Sequence, residues 1–86
     1  MKEKTVTIGL TDGLDAGVIA VLVQRACKFS SSVYLQAEGK KVNAKSIMGM
    51  MALGLDSGEI VTITADGSDE VDALKDVVEY LTNHSA

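Results

Sequence analysis

Apolar and polar residues alternate near the start of the chain. Val6, Ile8 and Leu10 are interleaved with Thr5, Thr7 and Gly9, the period of a half-buried strand. After Asp15 the spacing lengthens. Ile19, Leu22, Val23 and Ala26 recur at helical intervals, with Gln24, Arg25 and Lys28 on the other side. Ser30-Ser31-Ser32 ends that helix. Val33, Leu35 and Ala37 alternate again, and Glu38-Gly39-Lys40-Lys41 turns the chain into a short strand around Lys41–Ala44. Ser46 then precedes a short apolar helix, Ile47–Leu53, closed by Gly54 as a left-handed C-cap. A turn at Asp56-Ser57-Gly58 leads to a strand over Glu59–Ala65, with Val61, Ile63 and Ala65 on one face. Ser68 or Asp69 caps a last helix whose inward stripe is Ala73, Leu74, Val77, Val78 and Leu81, and the residues from Asn83 fray.

The order is β-α-β-β-α-β-α. Without a repeat or linker it predicts a single α+β domain over residues 1–86, an antiparallel sheet covered on one face by helices. A chain of 86 residues hides only about 60% of its unfolded surface, so its core has to be efficient. Aromatics are scarce (Phe29, Tyr34, Tyr80), which leaves packing to aliphatic side chains and methionine.

Composition narrows the function. The net charge of −4 argues against a nucleic-acid binder, and it is unevenly spread, about +3 over residues 1–46 and −7 over residues 47–86. The acidic stretch Asp69–Glu79 reads as a solvated helix face. The one cysteine, Cys27, has no partner for an internal disulfide, which fits a reducing compartment; its position within a helix predicts burial. The first ten residues lack the apolar core of a signal peptide, and the longest apolar run, Val18–Val23, falls short of the ~20 residues a membrane helix needs. The expectation is a cytoplasmic protein without membrane attachment.

Two helices begin with a side chain suited to the positive end of a helix dipole. Asp15 and Ser46 are ordinary N-caps, each contributing about 1 kcal/mol, and the same unpaired N–H groups also favour an anion. The stretch Lys40–Gly54, KKVNAKSIMGMMALG, closely resembles the regulatory-serine segment of the HPr family, the phosphocarriers of the bacterial sugar phosphotransferase system. The likeness extends to VLVQ at Val21–Gln24, LGLDSG at Leu53–Gly58 and DALK at Asp72–Lys75. It implies an open-faced sandwich of β-α-β-β-α-β-α order with strand order 1-4-2-3. The family's phosphotransfer motif, glycine-apolar-His-Ala-Arg-Pro-Ala, reads here as Gly13-Leu14-Asp15-Ala16-Gly17-Val18 followed by Ile19-Ala20. Asp15 stands in place of the reactive histidine, Gly17 in place of the arginine and Val18 in place of the proline. Imidazole accepts and releases phosphoryl near neutral pH, whereas a carboxylate doing so relies on bound Mg²⁺ and a nearby lysine. Ordinary phosphocarrier activity is therefore excluded. His84, the one histidine, does not match the family's position.

Ser46 retains its family context. The resemblance, closest in character to catalytically silent regulatory members, implies phosphorylation of Ser46 by an ATP-dependent HPr kinase/phosphorylase. It further implies docking on a catabolite control protein A-type transcription factor in carbon catabolite regulation. Lys45 and the apolar Ile47, Met48 and Met51 would form the docking surface; the alternative for the methionines is core filling. Gly17 removes an arginine that the family uses in phosphate-dependent docking, which weakens that partner in particular. Two other readings stay open: a phosphocarrier-like use of Asp15, with Asp12 as a second carboxylate around a metal, and an unmodified docking module for HPr partners. A weak, permanent imitation of a phosphate by Asp15 is a further possibility. The leading reading is not enzymatic and calls for no cofactor, no metal and no direct nucleic-acid contact. Strand exchange between two copies would be permitted by a Gly9–Gly13 hinge.

Overall fold

The computed structural model describes residues 1–9 and 15–82. The expectations for Leu10, Asp12, Gly13, Leu14, the tail from Asn83 and His84 lie outside those residues. The elements follow in the order β1 (Lys2–Thr7), α1 (Ala16–Cys27), β2 (Ser32–Ala37), β3 (Lys40–Asn43), α2 (Ile47–Leu53), β4 (Ile60–Asp66) and α3 (Glu70–Thr82). The four strands form one antiparallel sheet of order β1-β4-β2-β3, as the resemblance implied.

Register explains the burial. Val6 lies opposite Val61, Leu35 opposite both Ile63 and Val42, and Val33 opposite Ala65. These side chains share the face covered by helices, and Val33, Leu35, Val61, Ile63 and Ala65 are fully buried. The intervening row, Thr5-Thr62-Gln36-Lys41 and Glu3-Thr64-Tyr34-Asn43, forms the open face. Thr5 and Thr62 bond each other there at 2.8 Å, and the Lys41 ammonium sits 5.0 Å from the centre of the Tyr34 ring. In the helical layer α3 packs on β1 and β4, α2 packs on β3, and α1 touches both other helices. Ile19, Leu22 and Ala26 of α1, Met50 and Leu53 of α2, and Ala73, Val77 and Leu81 of α3 complete the core.

Element ends depart from expectation by one or a few residues. β1 begins at Lys2 and stops before Ile8, because the ladder bends there. The Ile8 N–H still donates to the Glu59 carbonyl at 2.8 Å, but the Ile8 carbonyl accepts from Gly58, while the Glu59 N–H turns back to Asp56. The β2–β3 hairpin turns through Glu38 and Gly39, both at positive φ (51° and 79°), which is the twist of a type I′ turn. Ile47–Leu53 has the bounds expected, and Gly54 closes it at φ 59°, ψ 45°.

Three expectations are corrected. Cys27 is exposed: the buried stripe of α1 passes through Ala26, and the next residue is rotated about 100° away from it. The acidic stretch Asp69–Glu79 is not simply solvated. The Asp76 carboxylate takes two bonds from Arg25, at 2.7 and 3.2 Å, and the Arg25 guanidinium lies 4.9 Å from the centre of the Tyr80 ring, pinning α1 to α3. That contact holds the Asp76 carboxyl below its usual range. Asp69 does sit at the cap position of α3, its carbonyl accepting from the Ala73 N–H at 2.9 Å, but its carboxylate does not cap the helix. It turns the other way and accepts from the backbone N–H groups of Ser30 (3.0 Å) and Ser31 (2.9 Å) and from the Ser31 hydroxyl. Glu70 instead reaches back to the Gly67 N–H at 3.1 Å.

The Asp69 contact is an acid-sensitive tie between the α1–β2 turn and the start of α3. The Ser31 hydroxyl and the two serine amides favour the carboxylate and lower its pKa from 3.8 to about 2. Because the folded value is the lower one, the tie contributes fully above about pH 4 and is lost as the pH falls through about 2. Urea midpoints measured between pH 5 and pH 2 are expected to fall more steeply for the wild type than for Asp69→Asn, the two curves converging in acid.

Candidate functional site

Both helix starts have the geometry of N-caps. Asp15 is extended (φ −80°, ψ 175°) and its Oδ1 accepts from the Val18 N–H at 2.9 Å, while its carbonyl accepts the first helical bond from Ile19. Gly17 is exposed, and a Cβ built on it would lie 3.6 Å from Asp15 Oδ1, an ordinary contact. The backbone would therefore accept a larger side chain there; the missing arginine is a chemical loss and the space for it remains.

Ser46 sits at the start of α2 with φ −112° and ψ 116°, its Oγ accepting from the Gly49 N–H at 3.2 Å. The approach is fixed by Asn43, whose side-chain oxygen accepts from the Lys45 N–H (2.8 Å) and whose carbonyl accepts from the Ser46 N–H (3.0 Å). Ser46 is half-buried at the cap. Beyond it the helix divides by its period: Met50 and Leu53 enter the core, while Ile47, Met48 and Met51 are 48%, 83% and 52% exposed. Those exposures decide between core filling and a surface patch in favour of the patch. Val21 on the neighbouring α1 is also exposed.

Lys45 is placed differently from its sequence neighbours. It is half-buried, and its ammonium donates to the Phe29 carbonyl at 2.8 Å, just beyond the end of α1. A lysine bonding carbonyls at a helix C-terminus is a common device, but nothing in the order of residues says that position 45 folds back on position 29. Sequence reasoning likewise missed the Arg25–Asp76 pair and the Asp69–serine contact, which join segments about 40 to 50 residues apart. The short side-chain spacing of these pairs becomes visible only once the sheet order is known.

A depression of about 690 Å³ lies on the open face beside Glu3, Glu38 and Glu59 and includes none of the candidate residues. Among the described residues no group of three or more histidine, cysteine or carboxylate side chains is placed to hold a metal ion, and no helix is long and apolar enough to cross a membrane.

This arrangement defines a class: an open-faced sandwich that presents a helix-capping serine and an exposed methionine-rich helix face, with a carboxylate capping the helix alongside. The family model described as the PTS HPr component phosphorylation site matches residues 2–83, and the chain belongs to the HPr family. It is 46% identical over 81 residues to the HPr-like protein Crh of Bacillus subtilis, covering 94% of this chain and 95% of that one. It is 42% identical to the HPr-like protein Crh of Halalkalibacterium halodurans, again over 94% of this chain and 96% of the relative. The crystal structure of a phosphocarrier protein HPr from Bacillus anthracis superposes with a TM-score of 0.91 at 41% identity, covering 93% of this chain and 95% of that chain.

Proposed function

We propose that this protein is a regulatory member of the HPr family, a binding protein and not an enzyme, switched by phosphorylation of Ser46 and docking through Ile47, Met48 and Met51. The observation that carries the reading is the pairing of a serine cap with an exposed apolar helix face on the same short helix. A phosphate on Ser46 adds roughly 1.5 to 2 negative charges where the helix dipole is positive, so the modification does not require the helix to unfold. The phosphate comes from ATP, transferred to Ser46 with loss of ADP by an ATP-dependent HPr kinase/phosphorylase, and the partner is a catabolite control protein A-type regulator, by likeness to the silent regulatory members of the family. The absence of an arginine at Gly17 leaves the phosphate to be read by Ser46's own surroundings and by the partner. Asp15, already committed to the Val18 N–H, acts as a helix cap in this reading.

The test is intact-mass spectrometry after incubation with HPr kinase and ATP, with Ser46→Ala as control. One added phosphate that disappears in Ser46→Ala is the expected result. No added phosphate, or a phosphate retained by the variant, overturns the switch. Phosphate gained instead from a phosphoenolpyruvate-driven donor and lost in Asp15→Asn would move the chemistry to Asp15. Partner binding indifferent to both the modification and Ser46→Ala would identify an unmodified docking module.

A further inference from the structure

Lys2 and Lys4 occupy the helix-facing side of β1, in the same row as Val6, where alternation would place core residues. Both are exposed. Together with Val71, Leu74, Lys75 and Val78 of α3 they line a cleft of about 340 Å³ between the edge strand and the last helix. Val71 is 60% exposed, and Leu74 and Val78 are half-buried, so the floor is apolar. Among the described residues none of the three lysines makes an ion pair. Glu70, the acidic group whose charge Lys2 feels, is held by the Met1 ammonium at 2.9 Å and by the Gly67 N–H. Asp72 and Glu79 flank Lys75 by one turn of α3, and among the described residues neither forms a salt bridge with it. An otherwise acidic protein thus concentrates three lysines without an ion pair, among the described residues, around one apolar cleft.

Among the described residues the outer edge of β1, beside the cleft, also has no strand paired to it. The Ile8 N–H points toward β4, and the groups of successive strand residues alternate in direction. Lys2, Lys4 and Val6 therefore direct their N–H and C=O groups to β4, while those of Glu3, Thr5 and Thr7 face the free edge. The Gly9 N–H, next in that outward series, donates to the Leu81 carbonyl at 2.8 Å, away from β4. An exposed edge is a template for a further strand, and lysines along it reject apolar strands while favouring acidic ones.

We infer that the β1 edge and the Lys2–Lys4–Lys75 cleft form a docking site for an extended acidic segment of a partner protein, added antiparallel or parallel to β1 as a fifth strand. The segment's backbone bonds Glu3, Thr5 and Thr7. Its side chains on the helical side alternate with those on the open face, setting carboxylates against the three lysines and one aliphatic side chain against Val71 and Val78. This surface lies on β1 and α3, apart from the Ser46 cap and the Ile47–Met48–Met51 face, and does not depend on them.

The probe is a dye-labelled peptide, Thr-Glu-Thr-Val-Thr-Glu-Thr, with a version carrying lysine for glutamate as control. Fluorescence anisotropy at low salt is expected to detect the acidic peptide alone, equally in the wild type and in Ser46→Ala. The double variant Lys4→Glu/Lys75→Glu should weaken binding by about tenfold or more, and Lys4→Gln/Lys75→Gln by less, with thermal melts confirming that both fold. Amide hydrogen exchange at Glu3, Thr5 and Thr7 should slow when the peptide is present. Unchanged affinity in the reversed variant, or protection elsewhere than β1, overturns the site. So does concentration-dependent self-association abolished by the same lysine changes, which would make a second copy the occupant. Preferential binding to phosphatidylserine-containing vesicles over the peptide overturns it in favour of a lipid surface.

Discussion

Gly67→Val is expected to destabilise the protein by about 2–5 kcal/mol, seen as a large drop in the urea midpoint and the melting temperature. Gly67 follows β4 at φ 154°, a conformation that side chains rarely adopt. A Cβ at this position would lie 2.6 Å from Ser31 Oγ, 2.7 Å from Ser31 Cα and 2.9 Å from Ser31 Cβ. Ser31 cannot retreat: it is fully buried, and both its N–H and its hydroxyl are committed to Asp69. Backbone strain costs about 1–3 kcal/mol and overpacking about as much again, so the two together reach the lower end of the stability of a domain this size, roughly 4–13 kcal/mol. Gly67→Ala meets the same contact and differs only in bulk beyond Cβ. An unchanged midpoint in Gly67→Ala would mean that the turn relaxes away from Ser31.

Leu22→Ala is expected to cost about 2–5 kcal/mol by opening a cavity in the helical layer. Leu22 is fully buried on α1, one turn from Ile19 and Ala26, on the stripe that turns toward the sheet and the neighbouring helices. Helix propensity is not at issue, because alanine is the better helix former. The loss therefore reports packing alone, and it should appear in equilibrium unfolding without changing the pattern of helix signal in the native baseline. Met50→Ala would be a gentler comparison only if the thioether's flexibility lets neighbours close the gap.

Much of the architecture was legible in the order of residues. Alternation at Val33, Leu35 and Ala37 and at Val61, Ile63 and Ala65 placed the covered face, and Ser46 and Gly54 marked both ends of α2. The strand order came from the likeness to the family, since spacing alone does not choose neighbours in a sheet. Asp15 and Ser46 were legible as caps because the bonds involved span only three residues. What escaped was long-range and polar. Local preference puts Ser68 or Asp69 at the cap of the helix that follows, yet the serine turn nearly 40 residues earlier offers the Asp69 carboxylate two amides and a hydroxyl. Lys45 was grouped with Ser46, although its long side chain carries the charge to Phe29. Cys27 followed the average habit of cysteines and not the phase of its own helix.

The sheet order also sets a timetable for assembly. The β2–β3 hairpin closes through two residues, Glu38 and Gly39, whereas joining Thr5 to Thr62 closes a span of 57. On logarithmic scaling the longer closure costs on the order of 3 kcal/mol more, and it has to be met before the contacts made by β1 return anything. β2, β3 and the strand between β1 and β2 can thus organise around the helices while the first strand synthesised waits to dock at the margin. β1 leads the other elements in chain order, yet it is the strand whose closure the rest can wait for.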